Sequence, residues 1–278
     1  MSRIQNILDK AEREGSVRRL RPLAEPAASA AGVAIVEPAS TFVVPPTVDT
    51  EPVTDAAPAL APPRVVSGAR LSPRLIAATS PAGVAAEQYR ALRTRILHSE
   101  SDAAVNVVLV TSPGRADGKS LTVANLALTM AQEYQQRICV VDANFRSPQQ
   151  HRLFGLPEGP GLSDVLVGRA SLEETLIAIE EHHLTVLPVG AASAHPAELL
   201  GTTTMRRTLE TLRSTFDRVV IDAPAVMPLA DVSILTPLVD CVILVVRAGA
   251  TSKPAIHDAI AAIDAGKLLG VVLNEATQ

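Results

Sequence analysis

An α/β fold, with a mainly parallel sheet flanked by helices, is predicted by three features of the sequence. Short apolar runs alternate with helical stretches from residue 105 onward, a loop ending in Gly-Lys-Ser separates the first run from the first helix, and two later runs each end on an aspartate. The 278 residues, 47% hydrophobic and 19% charged, suffice for one good core but not for three domains.

At the start of the chain, Ser2 and Gln5 have capping-box spacing, Ile4, Ile7, Leu8 and Ala11 fall on one face, and Gly15 can end the helix. A short amphipathic helix is expected over 1–15, with Arg3, Lys10 and Arg13 available for docking. Eleven of the 21 prolines precede Val84, mixed with Ala, Val, Thr and Ser without periodicity, so 16–79 reads as a largely disordered tether. The folded domain is expected over 80–278. Ser80-Pro81 suits the start of a helix running to about 97, with Ala85, Tyr89, Leu92 and Ile96 on one stripe. Strands are expected near 105–110, 137–141, 184–188, 218–221, 241–246 and 269–273, and helices over 119–133, 203–215 and 253–264. Ligands on such sheets bind beyond the carboxyl ends of the strands.

Composition excludes several classes. Lys+Arg 25 against Asp+Glu 29 gives a net charge of -4, so there is no global positive field to draw nucleic acid. Aromatics are 2% and Trp is absent, which argues against base-stacking surfaces. Cys139 and Cys241 sit inside apolar runs and read as buried thiols of a reducing cytosol. No apolar stretch approaches the roughly 20 residues of a membrane-spanning helix, and the N-terminus lacks a signal-peptide core. The expected location is therefore cytoplasmic, with the inner membrane reached through a partner.

The strand over 105–110 runs into Thr111-Ser112-Pro113-Gly114-Arg115-Ala116-Asp117-Gly118-Lys119-Ser120, and a helix follows at once. Glycines let backbone N–H groups approach phosphate, the helix N-terminus adds positive potential, Lys119 can reach the terminal phosphates, and Ser120 can ligand Mg²⁺. Gly114, Gly118, Lys119, Ser120 and Leu121 are the expected cradle of a P-loop holding ATP and Mg²⁺. The usual loop has four residues between its glycines; here Gly114 and Gly118 enclose three, and Pro113 takes the first position. Asp222, ending the strand over 218–221, is the expected second metal residue. Asp142, ending the strand over 137–141, can orient or deprotonate a nucleophile, and Arg146 lies close enough in sequence to compensate phosphate charge. Either aspartate alone would read as a strand-end cap; together, downstream of the loop, they point to a site.

These residues resemble the bacterial tyrosine kinases (BY-kinases), deviant Walker A P-loop proteins of capsule and exopolysaccharide synthesis. The resemblance covers about 80–274. It rests on Glu87-Gln88-Tyr89-Arg90-Ala91-Leu92-Arg93, the loop over 112–120, Val141-Asp142-Ala143-Asn144-Phe145-Arg146, Gly161-Leu162-Ser163-Asp164-Val165-Leu166, Pro196-Ala197-Glu198-Leu199-Leu200, the stretch 216–224, and Gly270-Val271-Val272-Leu273-Asn274. It implies an ATP-binding domain switched by the cytoplasmic tail of a membrane polysaccharide co-polymerase or chain-length regulator, and a homo-oligomer built through Glu87, Arg90 and Arg93. It implies catalytic roles for Lys119, Asp142 and Asp222, and an adenine contact for Asn274. The intrahelical alternative for Glu87 and Arg90 is a solvated i, i+3 pair.

Departures from that pattern shape the functional expectation. Asn144 stands where the family carries a second acid, Ala223 and Ala225 replace Thr and Pro, and the tyrosine-rich tail is missing after Asn274. The chain has 2 tyrosines, Tyr89 and Tyr134, both on helical stretches. A kinase acting on a partner chain is the leading expectation, followed by an ATP-dependent regulatory subunit of the export machinery. A Min/Par-type positioning ATPase ranks third, because Pro113, Gly114 and Arg115 stand where that group has an early lysine.

Overall fold

A computed structural model describes residues 61–98, 105–132, 136–228 and 230–275. The expected helix over 1–15, most of the expected tether, and Tyr134 lie outside the described residues. The strands are β1 (Arg64–Val66), β2 (Val107–Thr111), β3 (Ile138–Asp142), β4 (Ile177–Ile179), β5 (Leu184–Leu187), β6 (Arg218–Asp222), β7 (Cys241–Arg247) and β8 (Leu268–Asn274). They form one sheet in the order β1-β4-β5-β3-β6-β2-β7-β8. β5, β3, β6, β2, β7 and β8 run parallel, while β4 pairs antiparallel with β5 and parallel with β1.

The central strands are apolar throughout because both faces are covered. Side chains alternate across the sheet, so Leu109, Val141, Ile221 and Leu244 join one core and Val108, Val110, Val140 and Val220 the other. The first core is roofed by the helix Thr203–Thr215 through Met205, Leu209 and Leu212, and by Leu235 of the helix Asp231–Leu235. The second is roofed by the helix Lys119–Ala131 through Leu126 and Met130, and by Ile96 of the helix Val84–His98. Truncating one such leucine to alanine costs about 2 to 5 kcal/mol, a large share of a typical domain's stability, on either face.

All six expected strands are present, and three differences have local causes. Gly83 N–H donates to Ser80 O at 2.9 Å in a turn, so the helix begins at Val84 rather than at Ser80. The folded unit also begins before residue 80: β1 extends the sheet beside β4, and the helix Ile76–Thr79 packs with Leu75 and Ala77 fully buried. Proline richness hid that boundary, since Pro62, Pro63 and Pro73 flank these short elements. Finally, β4 and short helices such as Gln150–Leu153 and Leu162–Leu166 span too few residues to show a period.

Candidate functional site

β2 delivers the chain into the loop over 112–118, and the helix Lys119–Ala131 leaves it. Loop residues bond among themselves: Ser112 Oγ donates to Gly114 O at 2.6 Å, and Gly114 N–H donates to Asp117 Oδ2 at 2.8 Å. Asp117 Oδ1 accepts the Thr251 hydroxyl at 2.8 Å, and Asn274 Nδ2 donates to Asp117 O at 3.0 Å. Gly118 has φ +99°, and a Cβ there would lie 2.1 Å from Asn274 Nδ2, so no other residue fits without displacing that amide. Ala116 is left-handed as well, at φ 65°, a local strain that the bonded neighbours hold in place.

The register aligns Asp142 of β3 with Asp222 of β6, and both are 0% exposed. Asp142 Oδ1 accepts from Asn144 N at 3.1 Å, while Oδ2 accepts from Gln149 N at 3.1 Å and Gln150 N at 3.0 Å. Burial pushes the Asp142 carboxyl well above the usual carboxylate range, and the facing Asp222 adds to the rise despite those N–H donors. Burial also raises Asp222, opposed by Lys119, Ser120 and Gln150. Gln150 Nε2 bridges Asp222 Oδ2 at 2.9 Å and Ser120 O at 3.0 Å. The other oxygen, Asp222 Oδ1, is buried and accepts no hydrogen bond from any described residue.

An orphaned carboxylate oxygen in a buried site suits a cation, because leaving it unmatched costs about 1 to 3 kcal/mol. The donor set suits a hard ion that keeps water and phosphate ligands: Asp222 and the Ser120 hydroxyl supply oxygen, and no described group of three or more His, Cys, Asp and Glu forms an all-protein cage. Mg²⁺ therefore fits these residues.

Beside the carboxylates opens a cleft of about 580 Å³, lined by Lys119, Ser120, Leu121, Asn144, Arg146 and Arg74 among others. The structure thus brings Gly118, Lys119, Ser120, Leu121 and Arg146 to one cleft, while Asp142 and Asp222 lie buried behind its lining residues Asn144, Gln149 and Ser120. Gly114 and Asn274 stand apart from it, on the braced side of the loop with Asp117 and Thr251. Arg146 Nε lies 3.1 Å from Asp231 Oδ2, a carboxylate 1% exposed, so its charge is already matched. Asn144 closes a turn, donating from Nδ2 to Ser147 O at 2.9 Å. A larger, mainly apolar cavity of about 880 Å³ lies at the opposite, amino end of β3 and β5, far from these groups.

The Glu87, Arg90 and Arg93 trio lies on the helix Val84–His98, away from the cleft. Arg90 Nε donates to Glu87 Oε2 at 2.7 Å and its NH2 group to Pro81 O at 2.9 Å, while Arg93 NH1 donates to Thr129 O at 2.8 Å. Sequence reading did not find Gln150, Asp117 or Arg74. Asp117 had a signal, as an acid immediately before Gly118 inside the loop. Gln150 meets Asp222 across 72 residues, a contact no local pattern announces.

No protein-family model matches the chain. The chain is 35% identical over 209 residues to tyrosine-protein kinase YwqD of Bacillus subtilis, covering 74% of this chain and 88% of that protein. Among solved structures, the chimerical protein CapA2B2 superposes with a TM-score of 0.71 at 30% identity, over 79% of this chain and 96% of that one. The kinase domain of the Escherichia coli tyrosine kinase ETK superposes with a TM-score of 0.70 at 27% identity, over 73% of this chain and 80% of that one.

Proposed function

The chain belongs to the bacterial tyrosine kinase family, and from that premise we propose that it is an Mg-ATP-dependent kinase that phosphorylates tyrosine on a partner chain and thereby regulates capsular or exopolysaccharide polymerisation and export. The observation that carries the reading is the unmatched Asp222 Oδ1 beside Ser120 and Lys119, with Asp142 in register next to it. Lys119 and the loop N–H groups bind the phosphates, and Ser120 and Asp222 hold Mg²⁺. When bound, that ion neutralises charge on the phosphates being separated. Asp142 takes the proton of the acceptor hydroxyl as its oxygen bonds to the γ-phosphorus, and the bond to the β–γ bridging oxygen breaks to leave ADP. Its register beside Asp222 supports that role.

The acceptor is assigned to a partner because Tyr89 is packed: burial raises its phenol pKa, and the ring contacts the second core. Presenting it to a neighbour's site requires local opening. The membrane partner is a co-polymerase tail, through which a cytoplasmic domain would sit at the inner membrane. Among the described residues no helix is long and apolar enough to cross one. Self-association through Glu87, Arg90 and Arg93 is part of the same proposal, supported by the exposed Glu87 carboxylate.

Incubating the protein with Mg-ATP, alone and with candidate tails, and mapping phosphotyrosine by mass spectrometry tests this. Labelling confined to the partner is expected. Efficient modification of Tyr89 or Tyr134 in the isolated protein overturns the acceptor assignment. A second reading, an ATP-dependent regulatory subunit without transfer, is favoured by one observation: Asn144 spends its amide on Ser147 O where the family has an acid. ATP-dependent partner binding without labelling would select it.

A further inference from the structure

Arg74 precedes every motif by which the site is recognised, yet it lines the same cleft as Lys119 and Ser120. Its backbone is fixed to the loop's own helix. Asn125, fully buried on the helix Lys119–Ala131, donates from Nδ2 to Arg74 O at 3.3 Å and to Leu121 O at 3.1 Å, and accepts Ala77 N–H at its Oδ1 at 3.0 Å. Leu75, 0% exposed, anchors the next position. The guanidinium, by contrast, has no hydrogen-bond or ion-pair partner among the described residues. A backbone held this firmly under a free cation is unlike a surface arginine on a mobile segment.

The cleft identifies which part of a nucleotide would meet it. Its walls are the turn after β3, with Asn144 and Gln149, and the turn after β6, with Pro224 and Ala225, the two turns that follow Asp142 and Asp222. Asp117, Asn274 and Thr251, on the braced side of the loop, do not line it. With Ser120 and Asp222 holding the metal as proposed, this is the side of the metal and the terminal phosphate. Of the cleft cations, Arg146 is already matched by Asp231, which leaves Lys119, Arg115 and Arg74 to oppose phosphate charge.

We propose that Arg74 is a further ATP-binding residue, contacting the terminal phosphate through its planar guanidinium and so making the site discriminate ATP from ADP. Two N–H donors in a fork match two phosphate oxygens, which a lysine ammonium cannot do equally well. The inference rests on the reading that this cleft takes Mg-ATP, and its test separates the two.

Full-length wild type, Arg74→Ala and Arg74→Lys, with Arg64→Ala as an exposed-arginine control on β1, are titrated by calorimetry with Mg²⁺ plus ADP and with Mg²⁺ plus a non-hydrolysable ATP analogue. Melting curves confirm that each variant is folded. Arg74→Ala should weaken the ATP analogue about tenfold or more, the size of one lost charge-assisted contact, while moving ADP less than about twofold. Arg74→Lys should fall between, and Arg64→Ala should match wild type. Equal loss for both nucleotides, or no loss for either, overturns the terminal-phosphate assignment while leaving the nucleotide site standing. Wild-type protein that binds neither nucleotide overturns the nucleotide site itself.

Discussion

The aspartate pair at the ends of β3 and β6 and the charged helix Val84–His98 carry equally specific family motifs, but they differ in what the fold leaves unfinished. At the aspartates, two buried carboxylates face each other, and Asp222 Oδ1 has no hydrogen-bond partner among the described residues. On the helix, Arg90 is paired with Glu87 and Pro81 O, and Arg93 with Thr129 O. A buried carboxylate oxygen left without a hydrogen bond is costly enough to suit a ligand. A surface pair such as Glu87 and Arg90 is compatible with a partner but does not require it.

The comparison breaks most readily at Lys119. Lys119→Ala should cost about 2 to 3 kcal/mol of Mg-ATP affinity, measured by calorimetry, with the melting temperature nearly unchanged, because the residue faces the cleft rather than the core. Undiminished affinity would place the ligand elsewhere. A second test asks whether the aspartate pair is strained without metal. Asp142 has a folded pKa above its unfolded value, so between the two values the folded protein holds more protons than the unfolded chain. Stability of the metal-free protein should therefore fall as pH rises from the ordinary carboxylate range toward that raised value. Urea denaturation across that window should show the slope, and Asp142→Asn should flatten it.

Asn144→Asp sharpens the contrast further. The substitution supplies the acid that the family pattern expects, yet it sets a carboxylate against Ser147 O, where Nδ2 now donates. The metal-free protein should lose about 1 to 3 kcal/mol in urea denaturation, and Mg-ATP should recover more stability in the variant than in wild type. On the helix, Arg93→Ala should cost about 1 kcal/mol through the lost Thr129 O contact, and Glu87→Ala only a few tenths. If light scattering shows an Mg-ATP-dependent oligomer that charge reversal at Arg90 and Arg93 dissolves, the matched helix is an interface as well.

Legibility followed the length over which a pattern repeats. β2, β3, β6 and β7 are continuous apolar runs, so their places and the aspartates ending two of them could be read directly. β1 and β4, three residues each, could not, and proline around β1 suggested a tether. Within the site, Lys119, Ser120, Asp142 and Asp222 were legible because a strand end or a loop motif presents each one. Gln150, Thr251 and Arg74 were not, because their parts in the site depend on contacts between segments far apart in sequence. Asn274 shows the same limit: the family resemblance implied an adenine contact for it, but only the packed chain reveals its amide bonded to Asp117 O.

The brace of Asp117 by Thr251 and Asn274 has a kinetic consequence. A loop already shaped by side chains from two other segments does not have to be ordered by its ligand, so little conformational freedom is lost on encounter. Nucleotide capture should then proceed in a single phase whose rate rises linearly with concentration, without the plateau of a loop-closing step. Cutting the brace with Thr251→Val should introduce that plateau, so that the chain from β7 onward sets the tempo of a site built mainly from β2, β3 and β6.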